Sequence, residues 1–352
     1  MSPAAVPAER PVRWGILGAG HIAGVVGADI AASPGSELTA VAARDGERAA
    51  AFARAYGVER SYGSYHELAA DPDIDVIYVA TTHGQHRDPT VLVLNAGKPV
   101  LVEKAFALNA REAREMVAAA RANGVFCMEA MWLRLNPLVR HAVTLVGEGV
   151  IGELVSVRAD LSKRFAYDPT SRLFDLTVGG GALLDLGVYP ATFAWLFLGR
   201  PDQVAATGSL APTGSDLTVA MQWGYRDGRV AQLYCSAAAN SPYTGLVCGT
   251  EGWLRFETRL HRPSALTVHT GDQPPTDTVS DDLGQATEER IEAPPERGNG
   301  YEHEVAEVER CLRAGELESP SVPLADTVGV LEVLDEVRAQ VGVRYPEDRA
   351  GE

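Results

Sequence analysis

Short apolar runs and longer amphipathic stretches alternate through the first third of the chain. Runs that are apolar almost throughout read as strands buried on both faces, the habit of a parallel sheet. They fall at 12–17 (VRWGIL), 38–43 (LTAVAA), 75–80 (DVIYVA), 99–102 and 125–128. Between them the pattern predicts helices over 21–32, 47–56, 64–69, from 86 onward, and over 110–123. After a further helix at 136–147 the period changes to two. Segments 153–161, 203–209, 217–225, 229–236, 246–248 and 252–256 alternate in this way and predict an antiparallel sheet. A strongly apolar helix running on from Val178 interrupts those strands. Gly271 to Gly298 is polar and predicts an exposed loop, and helices at 301–314 and 324–341 close the chain. The expected fold is a mostly parallel, doubly wound α/β sheet over 11–133. An α+β domain with a large, mainly antiparallel open sheet follows over 134–352, its last helix packing back on the first domain.

The first strand runs straight into Gly18-Ala19-Gly20-His21-Ile22-Ala23. A G-x-G-x-x-A turn between strand and helix marks a Rossmann dinucleotide site. Gly18 permits the turn, Gly20 lets a pyrophosphate approach, and Ala23 allows close helix packing, with the N–H groups of His21 and Ile22 facing the anion. Where an NAD site usually places an acid to hold the ribose, the second strand ends in Arg44, with Arg48 one turn on. Guanidinium groups suit a 2′-phosphate, so NADP is expected in preference to NAD, although Asp45 is adjacent. Thr81, Thr82 and His83 end the strand 75–80, and Glu103 and Lys104 end the strand 99–102. Open α/β sheets bind ligands at such ends, which makes these residues the rest of the expected cofactor set.

The helix around VGGGALLDLGVYP carries Asp185 and Tyr189 at (i, i+4) in apolar surroundings. A buried carboxylate needs a partner, and Lys104 is the expected one. A nearby ammonium favours a phenolate, so Tyr189 can take an alcohol proton as hydride leaves the same carbon. Lys104, Tyr189 and Asp185 are the expected catalytic residues. Gly179, Gly180 and Gly181 are read either as allowing close approach to substrate or cofactor, or as a flexible entry turn.

Composition narrows the partners. The 352 residues contain 31 Lys and Arg against 47 Asp and Glu, a net charge of −16, which argues against nucleic acid and anionic membranes. No run of about 18 apolar residues is evident, so no membrane span is expected. The first eleven residues lack a signal peptide's apolar run and read as a disordered tail in a cytoplasmic protein. Cys127, Cys235, Cys248 and Cys311 are too dispersed for a metal site or disulfide framework and read as reduced thiols. His83 and His86 lack a third ligand nearby, so no metal is expected. Alternation such as Val219, Met221, Trp223 suggests an apolar open face on the second sheet, and with it a homodimer, a tetramer being the alternative.

The motifs GILGAGHIA, VLVEKAFALNAREAREMV, FCMEAMWLR and GGGALLDLGVYP together resemble the glucose–fructose oxidoreductase / inositol dehydrogenase family over nearly the whole chain. The likeness is greatest to its dimeric dihydrodiol dehydrogenase and NADP-dependent D-xylose dehydrogenase branch. The family's Glu-Lys-Pro motif maps to Glu103-Lys104-Ala105, with alanine in place of proline. Its catalytic Asp-x-Gly-x-His/Tyr segment maps to Asp185-Leu186-Gly187-Val188-Tyr189, and Thr82 replaces a common proline. The resemblance implies an NADP-dependent dehydrogenase acting on a sugar or diol, with Tyr189 as acid/base and Lys104 as its partner. Trp132 and Arg134 map to the branch's substrate pocket. Phe165, Tyr167 and Arg172, in the loop before the glycines, are further substrate candidates. Two other readings fit the same residues: a biosynthetic keto-sugar reductase, and a dinucleotide-binding sensor without turnover.

Overall fold

The computed structural model describes Val6, Pro7, residues 10–271 and residues 286–349. The chain forms two compact units, Met1–Leu135 with Pro295–Glu332, and Asn136–Pro294 with Val333–Glu352.

The first unit alternates β1 (Val12–Leu17), α1 (His21–Ala32), β2 (Ser36–Ala42), α2 (Gly46–Tyr56), β3 (Arg60–Tyr62), α3 (Tyr65–Ala70) and β4 (Val76–Val79). It continues with α4 (Arg87–Asn95), β5 (Val100–Glu103), α5 (Ala110–Asn123) and β6 (Cys127–Ala130). The six strands are parallel in the order β3-β2-β1-β4-β5-β6. The chain leaves β1 to one side and returns as β4 on the other, so the carboxyl ends of β1 and β4 open the switch-point crevice of the fold. Strands β4, β5 and β6 are buried at every position, which is why their sequences lack polar alternation and carry only Glu103 and Glu129 as charged residues.

Pro295–Glu332 groups with this unit, although the sequence reading placed it in the second domain. The buried Asp29 carboxylate on α1 accepts the N–H groups of Asn299 and Tyr301, each at 2.9 Å, and so ties down the entry to α8 (Glu302–Ala314). The described N-terminal residues also correct the expected loose tail. Val6 N–H donates to Leu312 O at 3.4 Å, and Arg10 pairs with Asp75 at 2.5 Å.

The second unit contains α6 (Pro137–Gly147), β7 (Leu154–Ser162), α7 (Val188–Leu198), β8 (Gln203–Leu210), β9 (Asp216–Gly224) and β10 (Val230–Ser236). Then come β11 (Gly245–Gly249), β12 (Gly252–Glu257), β13 (Ala265–Thr270) and β14 (Thr287–Glu292). The sheet order is β14-β13-β12-β11-β7-β10-β9-β8. Its pairings are antiparallel except β7 with β10. Alternation reveals which side chains share a face but not strand direction, so the parallel pair was not visible in the pattern.

Three expectations change here. The Gly271–Gly298 loop contains β14, whose residues TEERIE are almost all polar because it is an exposed edge strand; residues 272–285 lie outside the described ones. Val219, Met221 and Trp223 are buried, opposite Cys235, Leu233 and Ala231, on the face against which the segment 183–198 packs. The other face carries Arg158, Asp160, Gln222, Gln232 and Tyr234 among Ala205, Ala220 and Leu246 around a shallow hollow of about 650 Å³. It therefore mixes polar and apolar side chains, and Val219, Met221 and Trp223, which the sequence suggested for it, are not part of it. Finally, Leu176–Leu198 does have the length and apolarity of a membrane span, but 83% of its apolar 18-residue window is buried within the protein.

Candidate active site

The glycine turn has the geometry its sequence predicts. Gly18 adopts φ 107°, and a Cβ there would press on Ala80 O at 2.9 Å. At Gly20 a Cβ would meet nothing within 4 Å, so the backbone is open to an approaching group. No side chain caps α1, which leaves its first turn available to an anion. Arg48 Nε and Nη2 donate to Ala19 O at 3.2 and 3.1 Å, bringing a guanidinium to the glycine turn. Asp45 caps α2 instead, accepting the N–H of Glu47 at 2.9 Å, and Arg44 is exposed beside it. An open helix terminus, a glycine without neighbours and two guanidinium groups fit a dinucleotide phosphate.

Lys104 is half-buried at the end of β5, and its peptide bond to Ala105 is cis. The segment after it is held from two sides. His86 Nδ1 lies 2.9 Å from Ala105 O and 3.2 Å from Phe106 O, while Nε2 lies 3.0 Å from Thr81 O. Glu129 accepts the Phe106 N–H at 3.1 Å and the Thr327 hydroxyl at 2.8 Å. Carbonyl oxygens around both ring nitrogens would favour an imidazolium. Complete burial opposes this more strongly, with the Lys104 charge adding to it, and lowers His86 to about 4. The neutral ring has one N–H, so it donates either to Thr81 O after β4 or to the Ala105 and Phe106 carbonyls after β5 while lying between the two. Burial likewise raises the Glu129 carboxyl against the pull of Thr327, Phe106, Arg134 and Lys104. Thr81 Oγ1 donates to Gln85 O at 2.9 Å, whereas the buried Thr82 hydroxyl has no hydrogen-bond partner among the described residues. His83 is buried edge-on to His86, with ring centres 5.8 Å apart. The Glu103 carboxylate accepts a hydrogen bond from the Tyr78 phenol. Among the described residues no group of three or more His, Cys, Asp or Glu is arranged to hold a metal ion.

The second unit holds Asp185 and Tyr189. The segment Leu183–Gly187 is a π-helical turn and contains Asp185; α7 continues from it and carries Tyr189. Isolated π turns recur at functional sites. Gly187 has a packing reason: a Cβ there would strike Cys235 Sγ on β10 at 2.8 Å. Gly180 and Gly181 also serve packing. A Cβ on Gly180 would meet the carbonyls of Arg172, Leu173 and Asp175 at 2.7–2.8 Å, and one on Gly181, at φ 143°, would collide with the Asp216 carboxylate. Close approach is therefore required, but to the protein's own backbone and Asp216. The fully buried Asp216 accepts the Leu183 N–H at 2.5 Å and fixes the head of the segment. Burial raises it to about 6, outweighing the N–H groups of Leu183 and Ala182.

Asp185, 8% exposed, pairs with Arg172 at 3.2 Å. Its cation within this unit thus lies thirteen residues upstream. Tyr189, 7% exposed, packs its ring 5.1 Å from His261 at 38°.

The remaining substrate candidates divide. Trp132 stacks on Tyr301 at 4.3 Å, and the buried Arg134 donates to Ser321 O at 2.9 Å and Asp326 at 2.6 Å. Arg134 is thereby committed to a structural clamp. Phe165 is half-buried beneath the Lys163 ammonium, while Tyr167 is exposed and edge-on to Phe174. Sequence reasoning missed the roles of Asp216, Glu129 and His261. Each acts across a long separation, and none lies in a motif whose spacing announces it.

The family model described as an oxidoreductase family with an NAD-binding Rossmann fold matches residues 12–131, and the GFO/IDH/MocA C-terminal domain model matches residues 139–255. The chain is 38% identical over 350 residues to the trans-1,2-dihydrobenzene-1,2-diol dehydrogenase of Mus musculus, covering 96% of this chain and 99% of that one. KijD10, a 3-ketoreductase from Actinomadura kijaniata solved with NADP and TDP-benzene, superposes with TM-score 0.81 at 26% identity, covering 94% of this chain and 98% of that one. A levoglucosan dehydrogenase in complex with NADH and levoglucosan shares the fold with TM-score 0.83 at 23% identity, covering 95% and 98%.

Proposed function

We propose that this chain, which belongs to the GFO/IDH/MocA oxidoreductase family, is an NADP-dependent dehydrogenase of cyclic polyols. It moves hydride between the nicotinamide and a secondary or anomeric hydroxyl, in an aldose such as D-xylose or in a trans-dihydrodiol. That it is an NAD(P)-dependent dehydrogenase acting on CH–OH groups follows from the family and its dehydrogenase relatives. The observation that carries the finer reading is the phenol of Tyr189, held beside an ion-paired Asp185 at the head of α7.

A bound dinucleotide supplies the hydride acceptor or donor. Backbone at Gly18, Gly20, His21 and Ile22 would hold its pyrophosphate, Arg44 and Arg48 its 2′-phosphate. Thr81, Thr82, His83 and Glu103 would flank the nicotinamide end. In oxidation, Tyr189 as phenolate takes the hydroxyl proton and the alcohol becomes a carbonyl. Lys104 favours the phenolate, and Asp185, steadied by Arg172, orients a substrate hydroxyl. In reduction, Tyr189 returns its proton to the nascent alkoxide. Trp132 and Phe165 are the proposed apolar walls of the substrate site. The likeness to a 3-ketoreductase favours reduction of a keto-sugar as the second reading.

The test is NADPH formation over a panel of aldoses, inositols and trans-dihydrodiols, with keto-sugars run in reverse. Tight NADP binding without turnover on any of them would replace this reading with a dinucleotide sensor. The engagement of Asp45 as a helix cap supports NADP over NAD. Replacing Arg44 and Arg48 together by Ala is expected to weaken NADP about 10- to 100-fold with little change for NAD. Equal losses for both cofactors would remove the 2′-phosphate assignment.

We also propose a homodimer through the open face around Tyr234 and Leu246. Light scattering should return twice the chain mass, and Leu246→Arg should return the monomer. A wild-type monomer at micromolar concentration would contradict the proposal.

A further inference from the structure

The non-glycine residues with left-handed backbone among the described residues are Tyr243 (φ 59°), Thr258 (φ 24°) and Arg259 (φ 62°). They meet in one place: Tyr243 O accepts the N–H of Leu260 at 2.7 Å. Such backbone costs free energy and persists only where its surroundings over-determine it. Here they do. The Asp160 carboxylate accepts the N–H groups of Tyr243 and Thr244 at 3.2 and 3.1 Å and the Thr244 hydroxyl at 2.7 Å. The Arg262 N–H closes onto Arg259 O at 2.6 Å, and Leu260 and Pro263 are buried anchors on either side. Strain of this kind gathers where one side chain must point in one direction.

The side chain so presented is His261. It is half-buried, and its ring lies 5.1 Å from that of the buried Tyr189. Proton transfer through Tyr189, with Lys104 and Asp185, does not call for an imidazole there, and packing alone would be served by leucine or phenylalanine. Imidazole adds one nitrogen that donates and one that accepts, which matches a hydroxyl group in either sense. A ring beside the phenol is suited to the hydroxyl on the carbon next to the reacting one, since the reacting hydroxyl is held by the phenol itself.

We infer that His261 is a specificity-determining residue that hydrogen-bonds the hydroxyl neighbouring the oxidised carbon of the diol or aldose. This rests on the reading of Tyr189 as proton carrier. A site built to hydrogen-bond a hydroxyl rejects an analogue lacking it far more strongly than an apolar wall does.

Two pairs of alcohols test it: trans-cyclohexane-1,2-diol against cyclohexanol, and D-glucose against 2-deoxy-D-glucose. The readout is kcat/KM with NADP for the wild type, His261→Phe and His261→Gln. The wild type should prefer the diol member. His261→Phe should lower kcat/KM for the diol about 10- to 100-fold while leaving the mono-alcohol nearly unchanged, and His261→Gln, which keeps a donor, should restore much of the preference. Equal loss on both members, or no loss on either, overturns the inference and leaves the proposed function standing. If the wild type turns over neither pair, the diols are titrated into the enzyme–NADPH complex by calorimetry. Binding that is weakened in His261→Phe sustains the inference. Absence of binding overturns it, and absence of turnover across the wider substrate panel overturns the reading beneath it.

Discussion

Tyr189→Phe lowers kcat by about 100- to 10,000-fold, the range that a positioned general acid–base group contributes, and leaves NADP affinity unchanged. The change removes one oxygen and keeps the ring. Packing against His261 and burial at the head of α7 both depend on that ring, so the variant should fold and melt close to the wild type. The loss should appear in kcat, because the phenol acts on a proton that moves only as the alcohol reacts. Steady-state kinetics with the best substrate of the panel, together with NADP titration of the free enzyme, decide the matter. Activity within tenfold of the wild type would remove Tyr189 from the proton path.

Asp216→Asn is expected to raise stability at pH 7.5 by about 3 kcal/mol, from a shift of about two pKa units at 1.36 kcal/mol each. Complete burial raises this carboxyl from 3.8 to about 6. Between those values the folded protein holds a proton that the unfolded chain has already released, so stability falls as pH rises through this window. The contribution is fully present below about pH 4 and gone above about pH 6. Asparagine keeps an oxygen for the Leu183 N–H and has no charge to desolvate, so its profile should be flatter. Melting temperatures of both proteins from pH 4.5 to 8 measure the difference. A variant that is less stable at pH 7.5 and has an unchanged slope would mean that Arg338 and the helix head stabilise the carboxylate more than burial opposes it.

Much of the frame was legible because local rules wrote it. Strands buried on both faces run largely apolar, and in β4, β5 and β6 the charged exceptions are Glu103 and Glu129, each of which accepts a hydrogen bond. A dinucleotide turn requires glycines where backbone must bend and approach, and Gly18 and Gly20 meet both conditions in their own ways. The edge strand β14 escaped notice because exposure removes the apolar signal, and the β7–β10 pairing because alternation is blind to direction.

The chemistry-bearing residues divide along the same line. Lys104, Asp185 and Tyr189 were visible by residue type and neighbouring motif, as was the Arg44–Arg48 pair. Their supports were not. Asp216 reaches the head of the Asp185 segment across 33 residues, and Glu129 reaches the lysine loop across 23. The glycines before Leu183 were legible as a demand for close approach, but what approaches them, Asp216 and the Arg172–Asp175 carbonyls, was not. Sequence by itself determined the two sheets and the dinucleotide turn, and it singled out the side chains proposed to react, because periodicity and backbone conformation act over a few residues. Tertiary structure alone decided which charge meets Asp185, what holds Lys104 in place and which ring lies against Tyr189, because burial and pairing are set by groups that the chain brings together from far apart.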